Sequence, residues 1–390
     1  MKILIVWQSV FPWEVRVEKF ADTFLALGHE VTLLSRKKGG TAPRETLPSG
    51  LKIIRVGADL PDRWSLPTSF NPIWRKALRT EIARERPDLI IARDIPLAEA
   101  TGHQGRRLGI PVIMDMAEHY PGAMRSWKKY QENPFAKLLV HDWKIPDWVE
   151  KRALAAVDGV VTVCEEQIDR LARDYGYPRE RMTVVNNSPK KAWFAGARKG
   201  PTLPKPRVFG HHGHMTPERG LNLLLDAFFE VQKTHPEIEL QLAGSGESAG
   251  EVTRRVEELG IARKIKLIGR YTHADLDQLY GDIDVGVLPY PPNELINHTL
   301  SNKIFDYMAC GKPVITSEAS PMKRLIVETK AGVTFEPWSV DALVVALKRV
   351  LSAPAEDLRK MSESGNLAVR NRYNWEADVD ALLAFVSKVK

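Results

Sequence analysis

Cysteine is nearly absent, with only Cys164 and Cys310 among 390 residues. Each sits inside an apolar run, GVVTVC or DYMACGKPVI. That placement argues against a disulfide framework or a cysteine metal knuckle, and both thiols are expected to be buried and reduced. No stretch is apolar for long enough to span a bilayer. The N-terminal segment MKILIVWQSVFPW has one lysine, a short apolar run and no small-residue cleavage site, so no secretory leader is expected and the expected location is the cytoplasm. Runs of Lys and Arg are short and not interleaved with aromatics, which argues against a nucleic-acid groove. The charge balance is 56 basic against 49 acidic residues, a net +7, and that excess suits an anionic partner such as a nucleoside diphosphate or an acidic membrane surface.

Short apolar runs alternate with helix-period segments. ILIVW (3–7) is followed by Val17, Phe20, Ala21, Phe24 and Leu25 at helical spacing, Gly28 ends that segment, and EVTLLS (30–35) follows. KIIRV, DLIIAR, PVIMDM, GVVTVC and MTVVNN continue the pattern. Runs apolar on both faces fit parallel strands covered by helices on each side. Residues 191–206 hold Pro201, Pro204 and Pro206 without a clear period and read as a linker. The alternation then restarts with RVFGHH, IELQLAG, IKLIGR, DVGVLPY, PVITS and GVTFE. The expected fold class is α/β: two doubly wound Rossmann-like domains, 1–190 and 207–373, facing a central cleft, with a final helix over 374–390 crossing back to the first. Open α/β sheets bind ligands outside the carboxyl ends of their strands.

Three segments of the second domain carry candidate chemistry. In 294–317, a polar loop with Glu294 and His298 leads into a helix start at Ser301, Asn302 and Lys303, with Asp306 one turn on. Free amides and a lysine there form an anion site, and Asp306 is placed to accept hydrogen bonds from sugar hydroxyls; the competing reading is ordinary capping by Ser301. In VFGHHGHMTPERG (208–220), Gly213 allows close backbone approach and Arg219 is placed to clamp a pyrophosphate. Strand alternation points His212 and His214 one way and His211 the other, which argues against a metal site. In LQLAGSGES (240–248), Gly244 and Gly246 open a strand-to-helix turn without the third glycine of a dinucleotide fingerprint.

Together these segments resemble the retaining glycosyltransferases of family 4, which have the GT-B fold, and the likeness covers essentially the whole chain. The family's G-R-x-x-x-x-K-G loop is matched by Gly213-His214 and Arg219-Gly220, with histidine for arginine and arginine for lysine. Its strand ending in G-x-G is matched at 240–246, and its base-reading G-R loop at Gly269-Arg270-Tyr271. Its E-A-M-A-x-G-x-P-V motif is matched by Asp306 through Val314, and His298 falls in the place of the first motif glutamate. Asn302-Lys303 matches a branch that relaxes that position. In the first domain the Gly-rich turn is replaced by Gln8 to Pro12, Arg16 follows at the first helix, and Ala117 stands where the family commonly has a histidine, with Glu118 and His119 next.

The resemblance implies transfer from a UDP- or GDP-sugar to a glycan or lipid-linked acceptor with retention of configuration. Neither a cofactor nor a metal is expected. Arg219, Lys303, Glu118 and His119 are the implied catalytic residues; Gly213, His214, Gly244, Gly246, Arg270, Tyr271, Glu294, His298, Ser301, Asn302 and Asp306 the further donor contacts; and Arg16, Glu118 and His119 the acceptor side. Two other readings stay open, a nucleotide-sugar epimerase of the same fold and a non-catalytic nucleotide-sugar binder. Residues 124–152 mix Trp127, Tyr130, Trp143 and Trp148 with lysines and arginines, which suits an anionic membrane interface or an amphipathic helix pair with an Asp147–Glu150 capping box.

Overall fold

The computed structural model describes residues 1–12, 14–37, 39–57, 64, 66–194, 205–336 and 339–389. The chain divides into two compact units, Met1–Val185 with Val379–Lys390, and Asn186–Asp378. The start of the expected linker forms a short helix, Lys191–Phe194; residues 195–204 of it lie outside the described residues.

In the first unit the strands are β1 (Lys2–Val10), β2 (Glu30–Arg36), β3 (Arg44–Thr46), β4 (Lys52–Val56), β5 (Leu89–Arg93), β6 (Val112–Met116), β7 (Gly159–Thr162) and β8 (Met182–Val184). They form one sheet of order β3-β4-β2-β1-β5-β6-β7-β8, parallel except for the β3–β4 pair. The apolar runs of the sequence become these strands because each is covered on both faces: every residue of β5 and β6 is buried. The order reverses direction between β1 and β5. Helix α1 (Val15–Ala26) connects strands on one side of that point, whereas α2 (Pro72–Glu85) and α3 (Ile95–Leu108) lead to the other. Right-handed crossovers therefore put α2 and α3 on the same face and α1 on the opposite one.

The second unit holds β9 (Val208–His212), β10 (Glu239–Ala243), β11 (Ile265–Ile268), β12 (Val285–Leu288), β13 (Val314–Ser317) and β14 (Gly332–Phe335). Its sheet is wholly parallel, of order β11-β10-β9-β12-β13-β14, and reverses between β9 and β12. Helix Trp375–Val389 is shared between the units, since its residues from Val379 onward belong to the first. Phe385 lies so close to Gly159 that a Cβ there would sit 2.7 Å from its ring.

Two expectations are corrected here. Asp147 and Glu150 do not form a capping box, because helix Ile145–Ala156 is preceded by Lys144 in the left-handed region. Glu150 instead is fully buried in a two-point pair with Arg170 (2.7 and 2.8 Å) and accepts from the Tyr175 hydroxyl, while Asp147 pairs with Arg125. Nor does the strand alternation of His211 and His212 extend to His214, because β9 ends at His212. Both are completely buried, as a strand central to a doubly covered sheet requires, and His214 lies beyond the strand end, exposed. Both cysteines are buried free thiols, and burial pushes Cys310 up to about 12. No helix among the described residues is long and apolar enough to cross a membrane.

Candidate functional site

In the second unit the loops after β9, β10, β11 and β12 all leave the same carboxyl edge of the sheet, and the point where strand order reverses lies between β9 and β12. Helix Asn302–Ala309 follows the β12 loop. Ser301 occupies its N-cap position but makes no side-chain cap bond. Its hydroxyl instead lies 3.4 Å from the Tyr290 hydroxyl. Among the described residues the amides of Asn302 and Lys303 have no partner, so two donors and the positive end of the helix stay open to an anion. The capping reading of Ser301 is thereby set aside.

Lys303 Nζ lies 3.0 Å from Asp306 Oδ2, which also accepts from the Tyr280 hydroxyl at 2.9 Å. Burial works against the Lys303 ammonium, but Asp306 and the neighbouring Tyr271 outweigh it and hold the lysine above its ordinary pKa. Lys303 therefore stays a full cation at neutral pH. Its stem runs past the glycine loop, since a Cβ on Gly213 would lie 3.8 Å from Lys303 Cε. Asp306 keeps Oδ1 unbonded among the described residues, so one oxygen fixes Lys303 and the other can accept a sugar hydroxyl.

The Arg219 guanidinium stacks over Tyr290 at 4.7 Å from the ring centroid. His211 packs its edge on the same ring and holds Nδ1 2.9 Å from the Val287 carbonyl, which requires a proton on Nδ1. Burial lowers its pKa to about 4, and Arg219 and Lys303 push in the same direction. His211 is thus a neutral ring whose Nε2 is buried with no protein donor. The sequence reading weighed His211 only as a metal ligand, although a histidine at the carboxyl end of a buried strand was a visible signal of another role.

Other candidates fall into place less directly. Gly244 and Gly246 are glycines because two loops lie against each other: a Cβ on Gly244 would sit 1.8 Å from the Gly213 carbonyl, and one on Gly246 2.3 Å from that of Met215. Their identity reflects this approach, not access for a ligand. Arg270 and His214 are exposed. The imidazole of His298 folds back on its own loop, 2.8 Å from the Glu294 carbonyl, and the Glu294 side chain is exposed. Among the described residues no three of His, Cys, Asp and Glu converge as metal ligands. Each Asp-x-Asp triplet has a member engaged elsewhere, Asp275 with Thr272, Asp282 with Lys266, Asp284 with the amides of Arg207 and Val208, and Asp378 with Asn186, while Asp277 and Asp380 are exposed.

In the first unit Arg16 does not meet solvent. It is fully buried, pairs with both oxygens of Asp115 and donates to the Val185 carbonyl, so its expected acceptor role is corrected to an internal tie between α1, β6 and β8. His119 is likewise buried at the start of helix Tyr120–Ser126, whereas Glu118 is exposed. What the sequence reading missed is Arg93-Asp94, at the end of β5 and beside the point where strand order reverses. Arg93 contacts Asp94 (2.6 Å), Glu14 (3.4 Å) and Asp115 (3.5 Å). Asp94 has φ 61° and ψ 177°, a region essentially reserved for glycine and costing about 1–3 kcal/mol. Burial raises its carboxyl to about 7; Arg93 opposes that, and Glu118, Asp115 and Glu14 reinforce it. A charged pair ending an otherwise apolar buried strand was the available clue.

The family model for glycosyl transferases group 1 matches residues 197–367, and a glycosyl transferase 4-like domain matches residues 13–188. The chain is a group 1 glycosyltransferase. It is 23% identical over 381 residues to glycogen synthase of Mycobacterium tuberculosis, covering 92% of this chain and 87% of that one. It is 22% identical to a GDP-mannose-dependent alpha-(1-6)-phosphatidylinositol dimannoside mannosyltransferase of the same species, covering 88% and 85%. Among solved structures, sucrose-phosphate synthase from Thermosynechococcus elongatus superposes with a TM-score of 0.77 at 17% identity, covering 100% and 98%. HepE from Anabaena, solved with UDP-glucose, gives 0.69 at 15% identity over the whole of both chains. The fold is GT-B, and this glycosyltransferase is an enzyme that uses a nucleoside-diphosphate sugar.

Two outcomes are expected. Asp306→Ala should weaken nucleoside-diphosphate binding about ten- to a hundredfold, the worth of a charged hydrogen bond of roughly 1.5–3 kcal/mol, with Asp306→Glu better tolerated. Calorimetric titration with UDP and GDP reads this, and unchanged affinity would move the donor site elsewhere. Asp94 gives a pH signature. An unfolded aspartate ionises near 4, while the folded group keeps its proton to about 7, so its stabilising contribution is full below about 4 and is lost as pH rises through about 7. The thermal midpoint of wild type relative to Asp94→Asn should therefore fall between about pH 4 and about pH 7, and a flat difference would show that Asp94 does not titrate there.

Proposed function

We propose that this glycosyltransferase moves a sugar from a UDP- or GDP-linked donor, with retention of anomeric configuration and without a metal, to a glycan or lipid-linked acceptor. The observation carrying the proposal is the open start of helix Asn302–Ala309, with two free amides and the Lys303 ammonium at the point where the sheet order reverses. Leaving of the nucleoside diphosphate builds negative charge on phosphate oxygens, and fixed donors and cations there lower the barrier without reorganising. Arg219 adds a second cation, held by Tyr290. His211, neutral and with a bare Nε2, accepts a hydroxyl hydrogen instead of competing for the phosphate charge.

Support for both nucleotides comes from the relatives, since one is named for GDP-mannose and HepE is solved with UDP-glucose. On the first unit, exposed Glu118 and the near-neutral Asp94 are the groups fitted to bind acceptor hydroxyls and exchange a proton. A lipid-linked acceptor is supported by the surface of 124–152. Phe135 is 69% exposed, Trp143 63% and Trp148 47%, and Lys129 lies over both Trp127 and Tyr130. Such a mixture suits an anionic interface at which the enzyme docks peripherally.

Incubating the enzyme with UDP- and GDP-hexoses and no acceptor should release nucleoside diphosphate and free sugar whose first-formed anomer is the donor's. An inverted anomer refutes retention, and an epimerised donor would indicate an epimerase. Turnover should persist in excess EDTA; full loss on chelation, restored by magnesium or manganese, would refute the assignment of Lys303, Arg219 and the helix start to the diphosphate.

A further inference from the structure

Helices α2 and α3 both return from the carboxyl edge of the first sheet to its amino edge, so they run side by side in the same direction. Between them lies a groove of about 360 Å³. Arg75, Lys76 and Arg79 line it from α2, and His103, Gln104 and Arg107 from α3. Counted from Pro72 and from Ala100, which also line the groove, these residues follow the same i, i+3, i+4, i+7 spacing, so one stripe of each helix faces the other's.

No carboxylate lines this groove. The acidic residues of both helices are engaged elsewhere: Glu81 with Arg44, Glu85 with Arg84, and Glu99 with Arg152. Arg75, Lys76, Arg79 and Arg107 make no side-chain hydrogen bond or ion pair among the described residues, and the first three share one helix face at three- and four-residue spacings. Like charges so spaced destabilise a helix by roughly 0.2–0.5 kcal/mol per pair. The buried face of α2 does not compel them, since Trp74, Leu78 and Ile82 already anchor it to the core. Four uncompensated cations, a histidine and an amide, in a concave site, are complementary to a compact polyanion with several oxygen acceptors.

We propose that the α2–α3 groove is a binding site for a phosphate-bearing ligand, separate from the donor site of the second unit. Its recognition chemistry is that of a phosphomonoester or diphosphate group, contacted by Arg75, Arg79 and Arg107 with His103 and Gln104 as further donors. The group is carried by either a soluble phosphorylated molecule or a lipid headgroup.

The test compares wild type, Arg75→Gln/Arg79→Gln and the control Arg263→Gln/Lys266→Gln, which removes the same charge from the second unit. Binding of inorganic pyrophosphate is titrated by calorimetry with saturating UDP and GDP present, so that the donor site is occupied, at about 50 mM salt where charge contacts are little screened. Binding of the same proteins to phosphatidylcholine vesicles, with and without phosphatidylglycerol, is read by flotation. The proposal expects the groove variant to lose at least tenfold in affinity for one probe, while the control and the thermal midpoint stay close to wild type. Loss toward pyrophosphate identifies a soluble ligand, and loss confined to phosphatidylglycerol vesicles identifies a headgroup. Equal behaviour of groove and control variants toward both probes, or no binding by wild type, overturns the proposal.

Discussion

A parallel sheet covered by helices on both faces can meet solvent only at the ends of its strands, and both units are built under that constraint. Every residue of β5 and β6 is buried, and Ile3 to Val6 and Phe209 to His212 are as fully enclosed. Interior positions must then be apolar or have their polar groups matched, and chemistry is displaced to the carboxyl edge. The free amides of Asn302 and Lys303 lie beside the reversal of the second sheet, and Arg93-Asp94 beside that of the first. Neither needs a dedicated scaffold, because the winding of the sheet leaves a gap there.

The two edges handle buried charge differently. Arg16 is enclosed by Asp115 and the Val185 carbonyl, and Asp115 by Arg16 and Arg93; theirs is a tie, and removing one member would leave buried charge poorly matched at a cost of about 3–5 kcal/mol. Lys303 and Asp306 are paired through one oxygen only, and both side chains keep some exposure, 24% and 15%. An incomplete pair is already held in position and still able to bind. That difference in saturation, more than the identity of the charged groups, separates a closed pair from one with capacity left for a ligand.

The strands were legible because apolar runs such as KIIRV and PVIMDM have one physical solution in a doubly covered sheet, and Lys52–Val56 forms a strand over the whole of its run. Strand β3 was not, since RET is short, polar and antiparallel at an edge. The helix start at Asn302 and the glycine stop at Gly311 (φ 64°) were legible from local chemistry. Burial of individual polar residues was not: Arg16 and His119 look in sequence like cleft residues, and only tertiary packing encloses them. Asp94 was hidden for the opposite reason, because its shifted acidity arises from burial, reinforced by Glu118, Asp115 and Glu14, and both depend on tertiary packing of residues distant in the chain.

The least stable choices in this fold are the informative ones. A serine at an N-cap position normally satisfies a helix amide for about 1 kcal/mol, yet Ser301 turns toward Tyr290 and leaves two donors open. An aspartate occupies a glycine conformation at the end of β5, and α2 carries Arg75, Lys76 and Arg79 on one face. Each departs from what local propensity favours, whereas Asn71 caps α2, Ser339 caps its helix, and Gly109 and Gly176 close theirs in the left-handed region. Departures of this kind cost stability, and a ligand that supplies the missing partner offsets that cost. On that argument, donor binding should satisfy the open helix start, and a phosphate should satisfy the basic groove. Asp94 differs in kind, since burial, not a missing partner, is what holds its carboxyl near neutrality.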